Sequence, residues 1–254
     1  MLLCVDIGNS NIVLGVYRGE ELAANWRINT DHQKMPDEYG ILLLSLMARK
    51  QVTREDIDGV VVASVVPSLT DILVEMLREY MGMEPLVVGS GVKTGVVVRY
   101  DSPRDVGADR IVKAAAVLHM WGGPACVVDF GTATVFDAIS AKGEYLGGAI
   151  APGIRIAADA LVQRTSMLRR VDLQRPPHAI GTNTVDAMRS GILLGYVGLV
   201  EGMVAGFRAE LGPGTHVIGT GGLAKLVANE TQVFEVVDPW LVLEGLRLIY
   251  ELNT

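Results

Sequence analysis

Two aspartates stand in closely similar surroundings. Asp6 follows Leu2-Leu3-Cys4-Val5 and opens Asp6-Ile7-Gly8-Asn9-Ser10-Asn11, while Asp129 follows Ala125-Cys126-Val127-Val128 and opens Asp129-Phe130-Gly131-Thr132-Ala133-Thr134. Each copy is an apolar run, then Asp-x-Gly, then small hydroxyl or amide residues, then a second apolar run that begins at Ile12-Val13 or Val135-Phe136. The apolar runs read as buried strands, and glycine permits the tight turn between them. Such a turn can gather backbone N–H groups and the side chains of Asn9, Ser10 and Asn11, or of Thr132 and Thr134, around an anion. A carboxylate at its edge repels bare phosphate, so the pattern makes chemical sense when Mg²⁺ or another cation lies between the aspartate and a nucleotide phosphate. One copy alone is more simply a hairpin with a polar turn. A second copy, about half a chain later, weakens that plain reading sharply.

Two other clusters carry polar chemistry. Gly107-Ala108-Asp109-Arg110 stands at an expected helix start, after a polar stretch containing Pro103. Asp109 there either complements the helix dipole or acts as a general base. Arg110 suits a substrate carboxylate or a phosphate. Thr220-Gly221-Gly222 joins an expected strand to a helix, where bare glycine backbone admits a flat ring or simply makes a turn. Asp137, at the end of the second hairpin, reads as a surface acid without a role.

The elements that must position these residues fall into two similar series. Residues 2–5, 12–17 and 21–28 are expected to form three sequential strands, followed by a helix over 37–50, a parallel-type strand over 60–64, a helix ending at Gly82 and short strands at 86–88 and 96–99. A helix over 109–120 stops at Gly122-Gly123. Strands over 125–129, 135–139 and 145–150 then repeat the plan, with Gly153 opening a helix. The stretch 164–181, rich in Arg and Pro, reads as a mobile loop. Thr184 is expected to cap a long helix, 216–220 to form a strand, and Asp238-Pro239 to open the last helix as N-cap and first residue. The repeat unit is βββ-α-β-α-β of the ribonuclease-H type, used twice, and the expected domains are 1–115 and 116–254. In the long helix Gly191, Gly195, Gly198, Gly202 and Gly206 are spaced four, three, four and four apart, which puts them on one face. Each costs about 1 kcal/mol of helix stability relative to Ala, so a closely packed neighbour is expected, either the last helix or a second subunit.

Composition narrows the classes. The chain has 254 residues, enough for one large domain or two ordinary ones, and a hydrophobic half that supports a sizeable core. Lys plus Arg number 22 against 29 for Asp plus Glu, a net charge of −7 with no basic run, which argues against a nucleic-acid partner. Cys4 and Cys126 read as small core residues in a reducing cytosol, and the four histidines show no zinc spacing. No apolar run approaches ~20 residues and the N-terminus lacks a cleavage signal, so a cytoplasmic protein without a membrane partner is expected.

The duplicated hairpin resembles the phosphate-binding elements of the acetate kinase, sugar kinase, Hsp70 and actin superfamily. With Gly107–Arg110, Gly147-Gly148-Ala149-Ile150-Ala151-Pro152-Gly153 and Thr220-Gly221-Gly222 in this order, the chain resembles the type III pantothenate kinases over nearly its whole length. The resemblance implies an α/β protein of two ribonuclease-H-like (actin-like ATPase) domains. It implies that Asp6, Ile7, Gly8, Asn9, Ser10, Asn11, Ile12, Val13 and Thr132 bind ATP, with Asp6 reaching Mg²⁺ through water. Asp129 would hold a monovalent cation, K⁺ or NH₄⁺, and Asp109 would be the general base. Tyr100, Gly107, Ala108, Asp109, Arg110 and Thr184 would bind pantothenate, Thr220-Gly221-Gly222 would cover the adenosine, and the enzyme would be a homodimer. The rivals are another small-molecule kinase or a phosphatase on the same scaffold, and a non-catalytic regulatory relative.

Overall fold

The computed structural model describes residues Met1–Thr254. In chain order its elements are β1 Leu2–Ile7, β2 Asn11–Arg18, β3 Glu21–Asn29, α1 Pro36–Ala48, β4 Gly59–Ser64, α2 Pro67–Met81, β5 Leu86–Val87, β6 Val97–Val98 and α3 Ala108–Met120. They continue with β7 Ala125–Phe130, β8 Ala133–Ile139, β9 Glu144–Pro152, α4 Ile154–Gln163, α5 Thr184–Leu211, β10 His216–Thr220, α6 Ala224–Ala228, β11 Val236–Val237 and α7 Leu241–Glu251. Local signals account for several boundaries. Pro36 and Pro67 open α1 and α2 where a missing N–H costs nothing, and Gly82 ends α2 with a left-handed φ of 66°.

The chain divides into two compact units, the first comprising Met1–Val96, Asp101–His119 and Leu241–Thr254. Its sheet runs β3-β2-β1-β4-β5, with β1, β2 and β3 antiparallel and β4 and β5 parallel to β1. The apolar runs of β1 and β4 are buried because helices cover both faces. On one face Tyr39 and Leu43 of α1 and Leu73 and Leu77 of α2 join the core of Leu3, Val5 and Val62. On the other lies α7. A Cβ on Gly15 of β2 would stand 2.6 Å from Leu243 Cδ1, and Gly245 of α7 lies against the Val112 carbonyl of α3. The last helix therefore belongs to the first unit, and the division differs from the expected boundary at 115/116. Its apolar face is matched to this sheet, although its residues come last in the chain.

Arg247 on α7 is only 4% exposed. Its guanidinium donates to Glu244 and to Glu251 (2.6 Å) and lies 5.8 Å from the Tyr17 ring centroid. Removing it strands Glu244 in a poorly solvated place. Arg247→Ala is expected to cost about 3 kcal/mol of unfolding free energy. The midpoint of denaturant unfolding measures this, and an unchanged midpoint would show the network to be energetically idle.

The second unit comprises Val97–Tyr100 and Met120–Trp240. Its sheet runs β11-β10-β7-β8-β9-β6, so β9-β8-β7-β10-β11 repeats the order and directions of the first sheet and β6 adds a parallel edge beside β9. Phe130, Phe136, Val200, Val204 and Val217 centre its core, and Phe234 meets the Phe130 ring edge-on at 5.8 Å. Residues between α4 and α5 form no helix or strand.

Several local expectations are corrected. Asn183, not Thr184, is the N-cap of α5: its side chain accepts the Asp186 N–H at 3.0 Å, and Thr184 is the first helical residue. Asp238 accepts the Trp240 N–H at 2.8 Å in a turn ahead of α7, which starts only at Leu241. Asp137 is no surface acid: it is 1% exposed and accepts the Tyr145 hydroxyl at 2.8 Å. By length and composition α5 is long enough and apolar enough to cross a bilayer, contrary to expectation. Counting unbroken apolar residues missed it because glycines interrupt the runs. One face of α5 joins the second core through Leu193, Tyr196, Val197, Val200 and Val204. The opposite face carries the five glycines, all exposed, and a Cβ at any of them would meet nothing within 4 Å.

Candidate active site

In the first unit the register pairs Asp6 with Val13 and Ile7 with Ile12, leaving Gly8, Asn9 and Ser10 as the turn. The Gly8 N–H donates to the Asn11 carbonyl at 3.0 Å, and a Cβ on Gly8 would come equally close to that oxygen. Thr30, just past β3, pins the turn from outside: its hydroxyl donates to the Gly8 carbonyl at 2.6 Å and its N–H to the Ser10 carbonyl at 3.1 Å. Asn9, Ser10 and Asn11 remain exposed. Thr30 has no mark of a site residue in the sequence: its partners lie some twenty residues earlier, and no local pattern joins them.

The start of α3 belongs to the same sheet edge. The Val65 N–H, beyond β4, donates to the Ile7 carbonyl at 3.1 Å, and Val65 Cγ1 would be 3.2 Å from a Cβ on Gly107. Ala108 opens α3 and Asp109 lies in its first turn. The fold thus brings Asp109 to the edge that carries the Asp6 turn, although a hundred residues separate them in sequence. Lys113 Nζ donates to Asp109 Oδ2 at 2.7 Å, and a Cβ on Gly107 would stand 2.7 Å from Oδ1. Burial pushes the Asp109 carboxyl up, but the charge and hydrogen bond of Lys113, with the Arg110 N–H and guanidinium, outweigh it and hold the group below the ordinary aspartate value. Arg110 is itself 7% exposed, so its guanidinium is embedded in the unit rather than waving in solvent.

In the second unit Asp129 holds the place on β7 that Asp6 holds on β1, one residue before the strand end and opposite a valine, Val135. Two glycines lie beside its carboxylate, and a third closes the turn that follows. Gly221, at φ 93°, lies directly against Asp129 Oδ1 and the Phe130 backbone; Gly131 would bring a Cβ 3.9 Å from the same oxygen; and Gly153, capping α4, lies against the Thr132 carbonyl. A side chain at Gly221 or Gly153 would displace the turn, which is the physical reason for glycine there. Thr132 is exposed at the tip. Thr134 is buried and shares a short hydrogen bond with the Tyr196 hydroxyl, which ties the hairpin to α5.

Tyr100 packs its ring against Gly147 of β9, 3.1 Å from where a Cβ would be, at a residue whose φ of 123° also favours glycine. Thr184 lines an open hollow of ≈ 970 Å³ on the glycine face of α5, together with Asn183, Gly191, Gly195, Tyr196 and Leu199. Tyr100 and Thr184 are therefore set by different parts of the unit, β9 and the start of α5. A second hollow of ≈ 490 Å³ adjoins the Thr220-Gly221-Gly222 turn, with Leu223 and Leu226 on its apolar side and Arg155, Asp159 and Arg170 among its charged residues.

No three His, Cys, Asp or Glu side chains converge to cage a metal. Single carboxylates beside exposed amide and hydroxyl side chains match a hard cation shared with phosphate oxygens, as Mg²⁺ is commonly held. The residues present fit such an ion at Asp6.

Two ribonuclease-H-like units, each with an Asp-x-Gly turn closing its first hairpin, define the actin-like ATPase and sugar kinase fold. Solved structures agree: a Campylobacter jejuni protein assigned to the Baf family of transcriptional activators superposes with a TM-score of 0.64 at 22% identity, covering 99% of this chain and 98% of that one. Component A of (R)-2-hydroxyglutaryl-CoA dehydratase from Acidaminococcus fermentans gives 0.59 at 12% identity, covering 100% and 99%. The sequence profile of the type III pantothenate kinase family matches residues 2–206. The type III pantothenate kinase of Moorella thermoacetica is 56% identical over 254 residues, all of both chains. The chain belongs to the type III pantothenate kinase family.

Proposed function

We infer that this chain transfers the γ-phosphoryl group of ATP to the primary hydroxyl of pantothenate, giving 4′-phosphopantothenate in the first step of coenzyme A biosynthesis. The full-length family match carries this reading, and the placement of Asp109 on the sheet edge of the Asp6 turn supports it chemically. Asp109 accepts the hydroxyl proton as the oxygen attacks phosphorus, and the bond to ADP breaks. The turn from Asp6 to Val13 and Thr132 hold the ATP phosphates, and the hollow behind Gly221-Gly222 takes adenine. Arg110, with Gly107, Ala108, Tyr100 and Thr184, fixes pantothenate. Mg²⁺ near Asp6, when bound, offsets phosphate charge during transfer. Incubation of the purified protein with Mg²⁺, ATP and pantothenate, followed by mass spectrometry, should reveal ADP and 4′-phosphopantothenate in equal amounts. Phosphorylation of a sugar or acetate instead, or no turnover at all, would overturn the assignment.

Asp129 is proposed to hold a monovalent cation, because a carboxylate facing an approaching phosphate needs a counter-charge. Activity is expected to require K⁺ or NH₄⁺ and to be poor in Na⁺. Equal rates in the three chloride salts would remove this ion from the mechanism. The exposed glycine face of α5 is proposed as the contact of a homodimer, since a stripe of five costly helix residues with nothing against it in one chain suits a second backbone approaching closely.

A further inference from the structure

Lys113 is 3% exposed, one turn along α3 from Asp109. Lysine is seldom buried without a counter-charge, and here the charge is the Asp109 carboxylate, at 2.7 Å from Nζ. The two carboxylate oxygens have different surroundings. Oδ2 takes the Lys113 ammonium, whereas Oδ1 lies over Gly107, in space that any side chain there would fill. Gly107 in turn rests on Val65, which is hydrogen-bonded to the end of β1, so the carboxylate is referenced to the phosphate turn through short rigid contacts.

We propose that Lys113 is a positioning residue for phosphoryl transfer: by holding Oδ2 of Asp109 it fixes the carboxylate plane so that Oδ1 is presented to the alcohol whose proton it accepts. The inference rests on the reading of Asp109 as the general base. A carboxylate on a freely turning Cα–Cβ bond samples several rotamers, and an acceptor displaced by an ångström loses most of its effect. Lys113 removes that freedom by holding Oδ2. Its charge also opposes the effect of burial, which on its own would favour a protonated carboxyl unable to accept anything.

Four variants test this: Lys113→Met, Lys113→Arg, Asp109→Asn, and the double variant Asp109→Asn with Lys113→Met. Lys113→Met should lower kcat by about 10- to 100-fold, with KM for ATP and pantothenate little changed. Lys113→Arg, which keeps the charge and a donor, should restore most of the loss. In the Asp109→Asn background Lys113→Met should cost nothing further, because the group it positions is already gone. Wild-type kcat in Lys113→Met, or losses that multiply in the double variant, would overturn the proposal. Wild-type kcat in Asp109→Asn would instead overturn the general-base reading beneath it. Thermal unfolding of each variant confirms a folded sample. Should Lys113→Met melt below assay temperature, Lys113→Leu, which is apolar and offers no donor to Oδ2, takes its place with the same expected outcomes.

Discussion

Asp109→Asn is expected to lower kcat by about 10²–10⁴-fold with ATP binding nearly unchanged, the largest single effect in the molecule. The amide keeps the size of the carboxyl but cannot accept the alcohol proton. It also withdraws the negative charge that Lys113 Nζ meets at 2.7 Å, so some loss of stability accompanies the substitution and the assay belongs well below the unfolding transition. The pH profile gives a second readout. Burial raises the Asp109 carboxyl, but Lys113 and Arg110 more than reverse this, so the folded value lies below the unfolded one. The ionised base is therefore present throughout the neutral range. The stability that its ion pair adds is complete above the unfolded pKa and is lost only as pH falls through the folded one. The acid limb of kcat/KM assigned to this group should thus lie below the ordinary aspartate range. Turnover in the purified Asn variant close to wild type would remove Asp109 from the chemistry.

Gly198→Leu is expected to separate folding from assembly. In one chain a Cβ at Gly198 meets nothing within 4 Å, and leucine is a better helix former than glycine, so the isolated subunit should lose no stability and gain on the order of 0.5–1 kcal/mol. Across a close helix–helix contact the same side chain overpacks the interface by about 1–3 kcal/mol. That corresponds to roughly 5- to 150-fold weaker association, with activity falling alongside if the partner helps to form the substrate pocket. Sedimentation of wild type and variant over a range of concentrations reads this directly. A wild-type monomer would reject the homodimer. A wild-type dimer that survives Gly198→Leu with unchanged affinity would place the contact elsewhere and leave the glycine stripe without an assembly role.

The two hairpins, the tight turns that carry Asp6 and Asp129, and the repeated order of strands and helices are legible in the residues alone. These depend on short-range patterns: apolar runs of strand length, glycine where the chain must turn, and proline where a helix begins. The family resemblance was likewise carried by short motifs, and the full-length match bears it out. Only the tertiary structure decided how those pieces meet. It sets Gly131 and Gly221 beside the Asp129 carboxylate, pins the first turn with Thr30, and buries Lys113 against Asp109. It returns α7 to the first sheet and makes Asp137 a buried acceptor for Tyr145. In sequence, Asp137 looks like a surface charge, because burial is set by what packs over a residue and not by its own neighbours along the chain. The same holds in reverse for the glycine stripe: the helical period placed all five residues on one face, but only the packed chain left that face open. Contacts between residues tens to hundreds of positions apart form when whole faces of helices and sheets find matching apolar surface, and that matching has no period or spacing to be read in advance.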